Sequence, residues 1–263
     1  MVFSRCGKNI RSSKETPQFA NLPNRASTEV GVKLVCMSLA KLSNSTQNYL
    51  KIIWGITEHG TEPASTSVIA ARAGLRPSSV SDAVKRLAAA GLVEHQRYGT
   101  IELTEQGREY AVSMVRRHRL VETFLVKTLG YTWDQVHDEA EVLEHAVSDL
   151  MIERIDALLG HPTRDPHGDP IPSPTGEVES IAPHTLLDCS PKDRVLVERI
   201  SDDNPQLLRF FAGHGIAPGT RLEVTAVNSA EAGQGSAVNL VLPNDSELSL
   251  DTGAAASVYV SYL

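Results

Sequence analysis

Apolar residues recur with helical spacing in three successive stretches near the start of the chain, over residues 46–57, 67–73 and 78–90. Residues 74–75 predict a tight turn between the second and third stretches, and Gly91 predicts the end of the third. Because the third helix keeps its apolar residues on one face, its other face is polar and free for a partner. The pattern is that of a helix-turn-helix.

Two short runs that alternate between apolar and polar residues follow at 92–96 and 100–103, and they predict a β-hairpin. Thr104 is placed to cap a helix, and helical spacing then continues over 105–160 with a break near Gly130. A helix-turn-helix followed by a hairpin is the pattern of a winged helix-turn-helix, in which the second helix of the motif enters the major groove of DNA.

The segment after Gly160 is rich in proline and glycine, which exclude a continuous helix or a central strand, so we interpret it as a linker. Beyond it, five short β-patterned runs and one helical stretch at 205–212 predict a small barrel rather than a sandwich. The runs are residues 194–200, 221–227, 237–242, 247–250 and 257–262. The predicted fold class is therefore α+β.

Charge is distributed unevenly along the chain of 263 residues, whose formal net charge is -7. Residues 1–37 hold six basic and two acidic side chains, and residues 38–120 hold eleven and seven. The remainder holds eight and 23, so the basic part of the chain coincides with the predicted DNA-binding module. Residues 1–37 have no sustained periodicity and are expected to form a disordered basic tail, with Met37 as a candidate true start.

Composition also bears on location. Hydrophobic residues make up 41% of the chain, but no run approaches the 20 or so apolar residues that span a bilayer. The N-terminus lacks the apolar core of a secretory signal, so we expect a cytoplasmic protein without membrane attachment. The three cysteines, Cys6, Cys36 and Cys189, lie far apart and are expected to be free thiols.

The polar face of the third helix and the tip of the hairpin carry the residues that we expect to contact DNA. Serine hydroxyls can reach phosphates or base edges, and basic side chains can reach phosphates or enter a groove. These residues are Ser78, Ser79, Ser81, Asp82, Lys85, Arg86 and Arg97. A winged helix that contacts only other proteins is the alternative.

Imidazole and carboxylate side chains recur on two successive predicted helices, and each set shares one helix face. The sets are His118 and Glu122, and then His137, Glu141, Glu144 and His145. Nitrogen and oxygen donors without thiolate suit Mn²⁺, Fe²⁺, Co²⁺ or Zn²⁺, and the excess of carboxylates favours the harder ions. The alternative is a solvated face with charge pairs. The remaining histidines, His167 among them, are expected in turns or on the surface.

Three stretches resemble the DtxR/MntR family of metal-dependent transcriptional repressors: MVRRHRLVETFLV at 114–126, VHDEAEVLEHAVSD at 136–149 and DPHGDPIP at 165–172. The resemblance covers about residues 38–263. It implies a winged helix-turn-helix at 38–110, a helical metal-binding and dimerisation domain at 111–163, a Pro-rich linker at 164–190 and an SH3-like domain of the FeoA type at 191–263. It also implies a homodimer that binds a palindromic double-stranded DNA operator and is not an enzyme.

The resemblance assigns the metal donors to two sites. His118, Glu122 and His137 match the ancillary site, which the SH3-like domain completes, and Asp203 and Gln206 lie in the matching region of that domain. Glu141, Glu144 and His145 match the primary, activating site, whose remaining side-chain ligand comes from the first helix and corresponds to Asn48.

The same resemblance bears on the choice of metal. Iron-sensing members usually have methionine at the position of Asn48 and cysteine at that of Glu141, whereas manganese sensors have an acid at both. Asn48 departs from both patterns, but its amide oxygen is a hard ligand compatible with Mn²⁺. Lys51 replaces an acid of two-domain manganese sensors, which argues against their binuclear arrangement.

We therefore expect a Mn²⁺-activated repressor that controls metal-ion homeostasis genes. Three alternatives stay open from the sequence. The first is an Fe²⁺-responsive repressor of iron uptake genes, and the second is a metallohydrolase with an appended DNA-binding domain. The third is a metal-independent scaffold whose SH3-like domain binds proline-rich peptides.

Overall fold

The structure, a computed structural model, describes residues 39–59, 63–95, 99–180, 184–228 and 237–263. The predicted tail at 1–37 with Cys6 and Cys36, and the predicted wing tip with Arg97, lie outside these residues. Both sheets are antiparallel, and most helices precede the six-stranded sheet in the chain, which confirms the α+β class. None of the described helices is both long and apolar enough to cross a membrane.

The predicted helix-turn-helix and wing are confirmed. Their elements are α1 (Asn44–His59), α2 (Thr66–Ala73), α3 (Pro77–Ala89), β1 (Val93–His95) and β2 (Ile101–Leu103). The Ser65 hydroxyl caps α2 by accepting a hydrogen bond from the Val68 amide. Gly74 ends α2 with a φ of 64°, a left-handed conformation that glycine adopts without steric cost. Strands β1 and β2 pair antiparallel.

One apolar core joins the helices of this domain. Leu50 and Ile53 of α1 are fully buried and pack in the same cluster as Val80 and Val84 of α3 and Met114 of the next helix. Burying one such side chain contributes about 1.5–3 kcal/mol, and interiors are packed too densely for one helix to slide freely past another. A displacement of α1 is therefore passed on to α3.

The helical region contains α4 (Glu105–Leu129), α5 (Val136–Ala146) and α6 (Asp149–Leu158). Thr104 caps α4, since its hydroxyl accepts a hydrogen bond from the Gly107 amide. Gly130 ends α4 with a φ of 75°, at the predicted break. A second break, which the sequence pattern did not indicate, precedes α6, whose cap is Ser148. The second half of α4 packs on α5 and α6 in a core of its own.

The linker packs tightly against the sheet that follows it. Residues 161–180 form no helix and no named strand, as the prolines predicted. Gly168 has a φ of 94°, and a Cβ atom there would lie only 2.0 Å from the Glu198 carbonyl oxygen. The Ile200 amide donates a hydrogen bond of 2.9 Å to the carbonyl of His167. The linker is thus an integral layer between the helices and the sheet.

The C-terminal domain is a six-stranded antiparallel sheet with the order β3-β8-β4-β5-β6-β7. Its strands are β3 (His184–Thr185), β4 (Arg194–Ile200), β5 (Arg221–Asn228), β6 (Ala237–Val241), β7 (Glu247–Asp251) and β8 (Val258–Tyr262). Its helices are α7 (Pro205–Gly213) and α8 (Thr252–Ala256). The five predicted runs are confirmed as strands. The sequence pattern missed β3 and α8, which are too short to show a periodicity. Cys189 is buried and free.

Candidate metal centre and DNA-reading surface

His118 and Glu122 lie one turn apart on α4, and both side chains are buried. His118 Nε2 is 3.0 Å from Glu122 Oε1, and His118 Nδ1 is 2.6 Å from Glu144 Oε2 on α5. Burial by itself would lower the pKa of His118, but the two carboxylates together raise this pKa to about 9. A protonated imidazole therefore donates hydrogen bonds to carboxylates of both predicted sites.

His137, in the first turn of α5, connects Glu122 to the SH3-like domain. Its Nδ1 is 3.5 Å from Glu122 Oε1 and 3.1 Å from Asp202 Oδ2, in the loop between β4 and α7. Hydrogen bonds to Asp202 and Glu122 raise the pKa of His137 to about 11. Burial would raise the pKa of Asp202, but its hydrogen bond with His137 holds that pKa well below the ordinary range. Metal binding at these imidazoles requires release of their protons.

Within the described residues, the SH3-like residue that contacts His137 is Asp202 and not one of the two that the sequence indicated. Asp203 Oδ1 lies 3.5 Å from Arg72 Nη1, and 70% of the Asp203 side chain is exposed. Gln206 is exposed in the first turn of α7, where its backbone amide donates to the Asn204 side chain. Neighbouring residues of an extended segment point in opposite directions, so a shift of one position decides which side chain reaches His137. The local sequence could not resolve that shift.

His167 lies in a turn, which is one of the two expected locations, but it is fully buried and not on the surface. Its Nε2 lies 2.8 Å from the Trp133 carbonyl oxygen, and its ring stacks on the Trp133 ring at 5.9 Å between centroids. Nδ1 lies 3.8 Å from Glu122 Oε2 and has no hydrogen-bond partner in the part of the chain that the structure describes. The linker around His167 has no hydrophobic periodicity, so the burial of His167 between α4 and β4 could not be predicted from the sequence pattern.

Two overlapping sets of donors therefore form the ancillary group. His118, Glu122 and His137 offer donor atoms within 4.8 Å of one another, and so do Glu122, His167 and Asp202. Glu122 belongs to both sets. We call these five residues the ancillary group.

The predicted primary site is arranged differently. Glu141 and Glu144 direct their carboxylates at Lys51 on α1, whose Nζ is 2.6 Å from Glu141 Oε1 and 2.7 Å from Glu144 Oε1. His145 Nε2 lies 3.6 Å from Glu144 Oε1. Asn48 lies one turn before Lys51, and its Oδ1 is buried without a hydrogen-bond partner among the described residues. We call Asn48, Glu141, Glu144 and His145 the primary group.

Gln47, which the sequence analysis did not single out, forms a hydrogen bond with the His145 ring. Its amide nitrogen donates to the carbonyl oxygens of Leu39 and Leu42, at 3.0 Å each, and its amide oxygen lies 2.8 Å from His145 Nδ1. That oxygen can only accept, so Nδ1 carries a hydrogen and Nε2 is the ring nitrogen left to face a metal ion. The sequence offered only a second amide side chain directly before Asn48.

The primary group contains unpartnered donors that a metal ion could use, although among the described residues Glu141 and Glu144 cluster within 4.8 Å with His118 and not with His145. Asn48 Oδ1 and His145 Nε2 are buried acceptors with no hydrogen-bond partner within the described ranges. Such an atom costs about 1–3 kcal/mol, which coordination to a cation would relieve. Asn48 and Glu141 also line a cavity of about 730 Å³ between α1, α4 and the SH3-like domain. The group contains oxygen and nitrogen donors and no sulfur, and that set suits a harder divalent ion.

The helix α3 presents the polar face that the sequence predicted. Ser78, Ser79, Asp82, Lys85 and Arg86 are exposed and Ser81 is half-buried, while Val80, Val84 and Leu87 fill the core on the opposite side. Lys85 Nζ pairs with Asp82 Oδ1 at 3.2 Å on this exposed surface. Arg97 lies outside the described residues.

A winged helix with an exposed polar helix α3, joined to a helical domain with clustered metal donors, defines a class of protein: DNA-binding proteins that respond to a metal ion. Known protein families that match each part of the chain agree with this class. "Iron dependent repressor, N-terminal DNA binding domain" matches residues 41–101, "Iron dependent repressor, metal binding and dimerisation domain" matches 104–173, and "FeoA domain" matches 184–262.

This chain aligns with its relatives over nearly their whole length. The iron-dependent repressor IdeR of Mycobacterium leprae is 30% identical over 232 residues, which span 83% of this chain and 97% of the relative. A solved structure described as a manganese-dependent transcriptional repressor complex with manganese is 47% identical, with a TM-score of 0.77 and coverage of 83% and 100%. The manganese regulator SloR is 33% identical, with a TM-score of 0.70 and coverage of 83% and 98%.

The chain therefore belongs to the DtxR/IdeR family of metal-dependent transcriptional repressors. Members of this family are DNA-binding repressors and not enzymes, which excludes the metallohydrolase alternative. The matched domains indicate binding to DNA and assembly as a homodimer.

Proposed function

We propose that Mn²⁺ is the ion that activates this repressor, and that the primary group binds it. The donor chemistry carries the proposal, because Glu141 provides a carboxylate and Asn48 an amide oxygen, with no thiolate or thioether beside them. Hard oxygen donors suit Mn²⁺, whereas sulfur donors favour later metals of the Irving–Williams order. The 47% identity to a manganese-dependent repressor supports the same choice.

The ancillary group would hold a second ion at the junction of three parts of the chain. His118 and Glu122 come from α4, His167 from the linker and Asp202 from the SH3-like domain. An ion held there would stabilise the docking of the SH3-like domain onto the helices. We therefore assign this group a supporting role and the primary group the activating role.

Helix α1 provides the physical route from the primary group to DNA. A bound cation supplies the positive charge that draws the Asn48 amide toward the donors of α5. Leu50 and Ile53, on the same helix as Asn48, belong to one apolar core with Val80 and Val84 of α3, so a shift of α1 would reach α3 through that core. Metal raises DNA affinity only by favouring the conformation that DNA also favours.

Assembly as a homodimer sets the form of the operator. Apolar side chains of α5 and α6 are 45–70% exposed, namely Val142, Leu150, Met151 and Leu158, and they offer a surface for a second copy. A two-fold dimer presents its two α3 helices about 34 Å apart, which is one turn of DNA, and so requires a near-palindromic operator. Salt weakens such binding, because basic side chains displace counterions from phosphates.

The choice between Mn²⁺ and Fe²⁺ is tested by DNA binding at buffered free concentrations of each metal, measured by fluorescence anisotropy. Glu141→Cys combined with Asn48→Met replaces hard donors with sulfur and should shift activation from Mn²⁺ toward Fe²⁺, Co²⁺ or Ni²⁺. Glu139→Cys places a thiol at an exposed position on the same helix and should leave the metal profile unchanged.

Two results would contradict the manganese proposal. One is activation of the unmodified protein by Fe²⁺ at a far lower free concentration than by Mn²⁺. The other is a double variant whose metal profile equals that of the unmodified protein. The Fe²⁺-responsive alternative, which the 30% identity to IdeR supports, would then be preferred.

A further inference from the structure

Lys51 places its ammonium inside a third set of donors that lies between the two groups. Its Nζ is 2.6 Å from Glu141 Oε1, 2.7 Å and 2.9 Å from the two Glu144 carboxylate oxygens, and 3.4 Å from His118 Nδ1. The nearest nitrogen and oxygen atoms of His118, Glu141 and Glu144 lie within 4.8 Å of one another, and the two carboxylates supply the negative charge that holds a single cation there. The ammonium occupies that position.

Burial strengthens the interaction between the Lys51 ammonium and the two carboxylates. The Lys51 side chain is only 14% exposed and the Glu144 side chain is fully buried, so solvent screens their interaction weakly. Glu141 and Glu144 are also the two acidic members of the primary group. A divalent cation entering that group has to compete with Lys51 for the same oxygens, and it is repelled by the ammonium as well.

We propose that Lys51 is an internal competitor that sets the free metal concentration at which the primary group fills. The inference rests on the primary group proposed above and adds a residue that binds no metal itself. Lys51 follows Asn48 by one turn of α1, so a single helix carries both a ligand and the charge that opposes the ligand's ion. The competitor keeps the site empty at low metal concentration and makes the repressor respond only to a metal excess.

A merely structural salt bridge predicts the opposite sign. If Lys51 only held α1 against α5, its loss would loosen the primary group and weaken metal binding. If Lys51 competes with the ion, its loss removes a positive charge from beside the Glu141 and Glu144 carboxylates and strengthens metal binding. The direction of the change therefore separates the two roles.

The test measures Mn²⁺ binding to the metal-free homodimer without DNA, with free Mn²⁺ quantified by electron paramagnetic resonance at fixed pH and ionic strength. Lys51→Met should lower the Kd for Mn²⁺ at least about tenfold, given the size of the charge interaction at this distance. Lys51→Arg keeps the charge and should stay close to the unmodified protein. Lys127→Met removes a lysine from an exposed position on α4 and should have no effect.

The inference is overturned if Lys51→Met folds, as judged by thermal unfolding, and binds Mn²⁺ no more tightly than the unmodified protein. Lys51→Gln removes the charge but keeps a hydrogen-bond donor, and it carries the same expectation if the methionine variant does not fold. His145→Ala in the same assay separates the two proposals. Unchanged Mn²⁺ binding in His145→Ala rejects the primary group itself, whereas abolished binding without tightening in Lys51→Met rejects only the competitor.

Discussion

The primary and ancillary groups lie side by side, yet they obtain their counter-charge from different sources. In the ancillary group the imidazoles and carboxylates neutralise one another, with His118 Nε2 at 3.0 Å from Glu122 and His137 Nδ1 at 3.1 Å from Asp202. Buried atoms without a hydrogen-bond partner among the described residues occur in both groups: Glu122 Oε1, His137 Nδ1 and His167 Nδ1 in the ancillary group, and Asn48 Oδ1 and His145 Nε2 in the primary group. The primary group differs in having no cationic donor of its own opposite its two carboxylates. The counter-charge there comes from Lys51, which we do not count as a ligand.

This difference suits the two donor sets to different roles. The ancillary group is held by the packing of α4, the linker and the SH3-like domain, and its charges are balanced without a metal ion. The primary group depends on where α1 lies, because its counter-charge comes from Lys51 on that helix and not from its own donors. A site that switches DNA affinity needs the second property, and a site that stabilises an interdomain junction needs the first.

The largest expected effect tests which group activates. His145→Ala removes a ligand of the primary group and should lower metal-dependent DNA affinity by about 100-fold or more, above the range found for indirect partners of metal ligands. His118→Ala should weaken activation only in part. Anisotropy with operator DNA at saturating and limiting Mn²⁺ measures both, and size-exclusion chromatography confirms that the dimer persists. A larger loss in His118→Ala than in His145→Ala would reverse the two roles.

A smaller effect is expected at Gln47, which contacts a ligand but binds no metal. Gln47→Ala removes the acceptor that holds the hydrogen on His145 Nδ1, so Mn²⁺ affinity should fall by about tenfold. Gln47→Glu keeps an acceptor at that position and should recover part of the loss. Titration of each metal-free variant with Mn²⁺ by calorimetry makes the comparison. Equal affinities in all three proteins would show that Gln47 does not orient His145.

The smallest effect concerns the SH3-like domain and compares two adjacent residues. Asp202→Asn removes the carboxylate that pairs with His137 and should weaken binding at the ancillary group by several-fold, without abolishing DNA binding. Asp203→Asn alters an exposed residue that contacts Arg72 and should be neutral. Metal stoichiometry and affinity in both variants provide the measurement. A stronger effect in Asp203→Asn would favour the alignment that the sequence indicated over the observed contact with His137.

Local periodicity was enough to predict most elements from the sequence. The helix-turn-helix, its wing, the caps at Thr104 and Gly130 and the five longer strands of the SH3-like domain all follow from spacing and capping chemistry within a few residues. Donors on one helix were predictable for the same reason, since residues four apart share a face whatever the rest of the chain does. His118 with Glu122 is such a pair.

The tertiary structure alone decided which donors from different elements meet. Lys51 and Glu144 are 93 positions apart, and nothing local to either residue indicates their ion pair. Asp202 reaches His137, and His167 is buried beside Glu122, because the linker packs between α4 and β4. The sequence by itself determined the elements, the helix faces and the family resemblance, since these depend on neighbours along the chain. Which residues of the linker and the SH3-like domain reach α4 and α5 depends on packing between distant segments. A shift of one position there would bring Asp203 to His137 in place of Asp202.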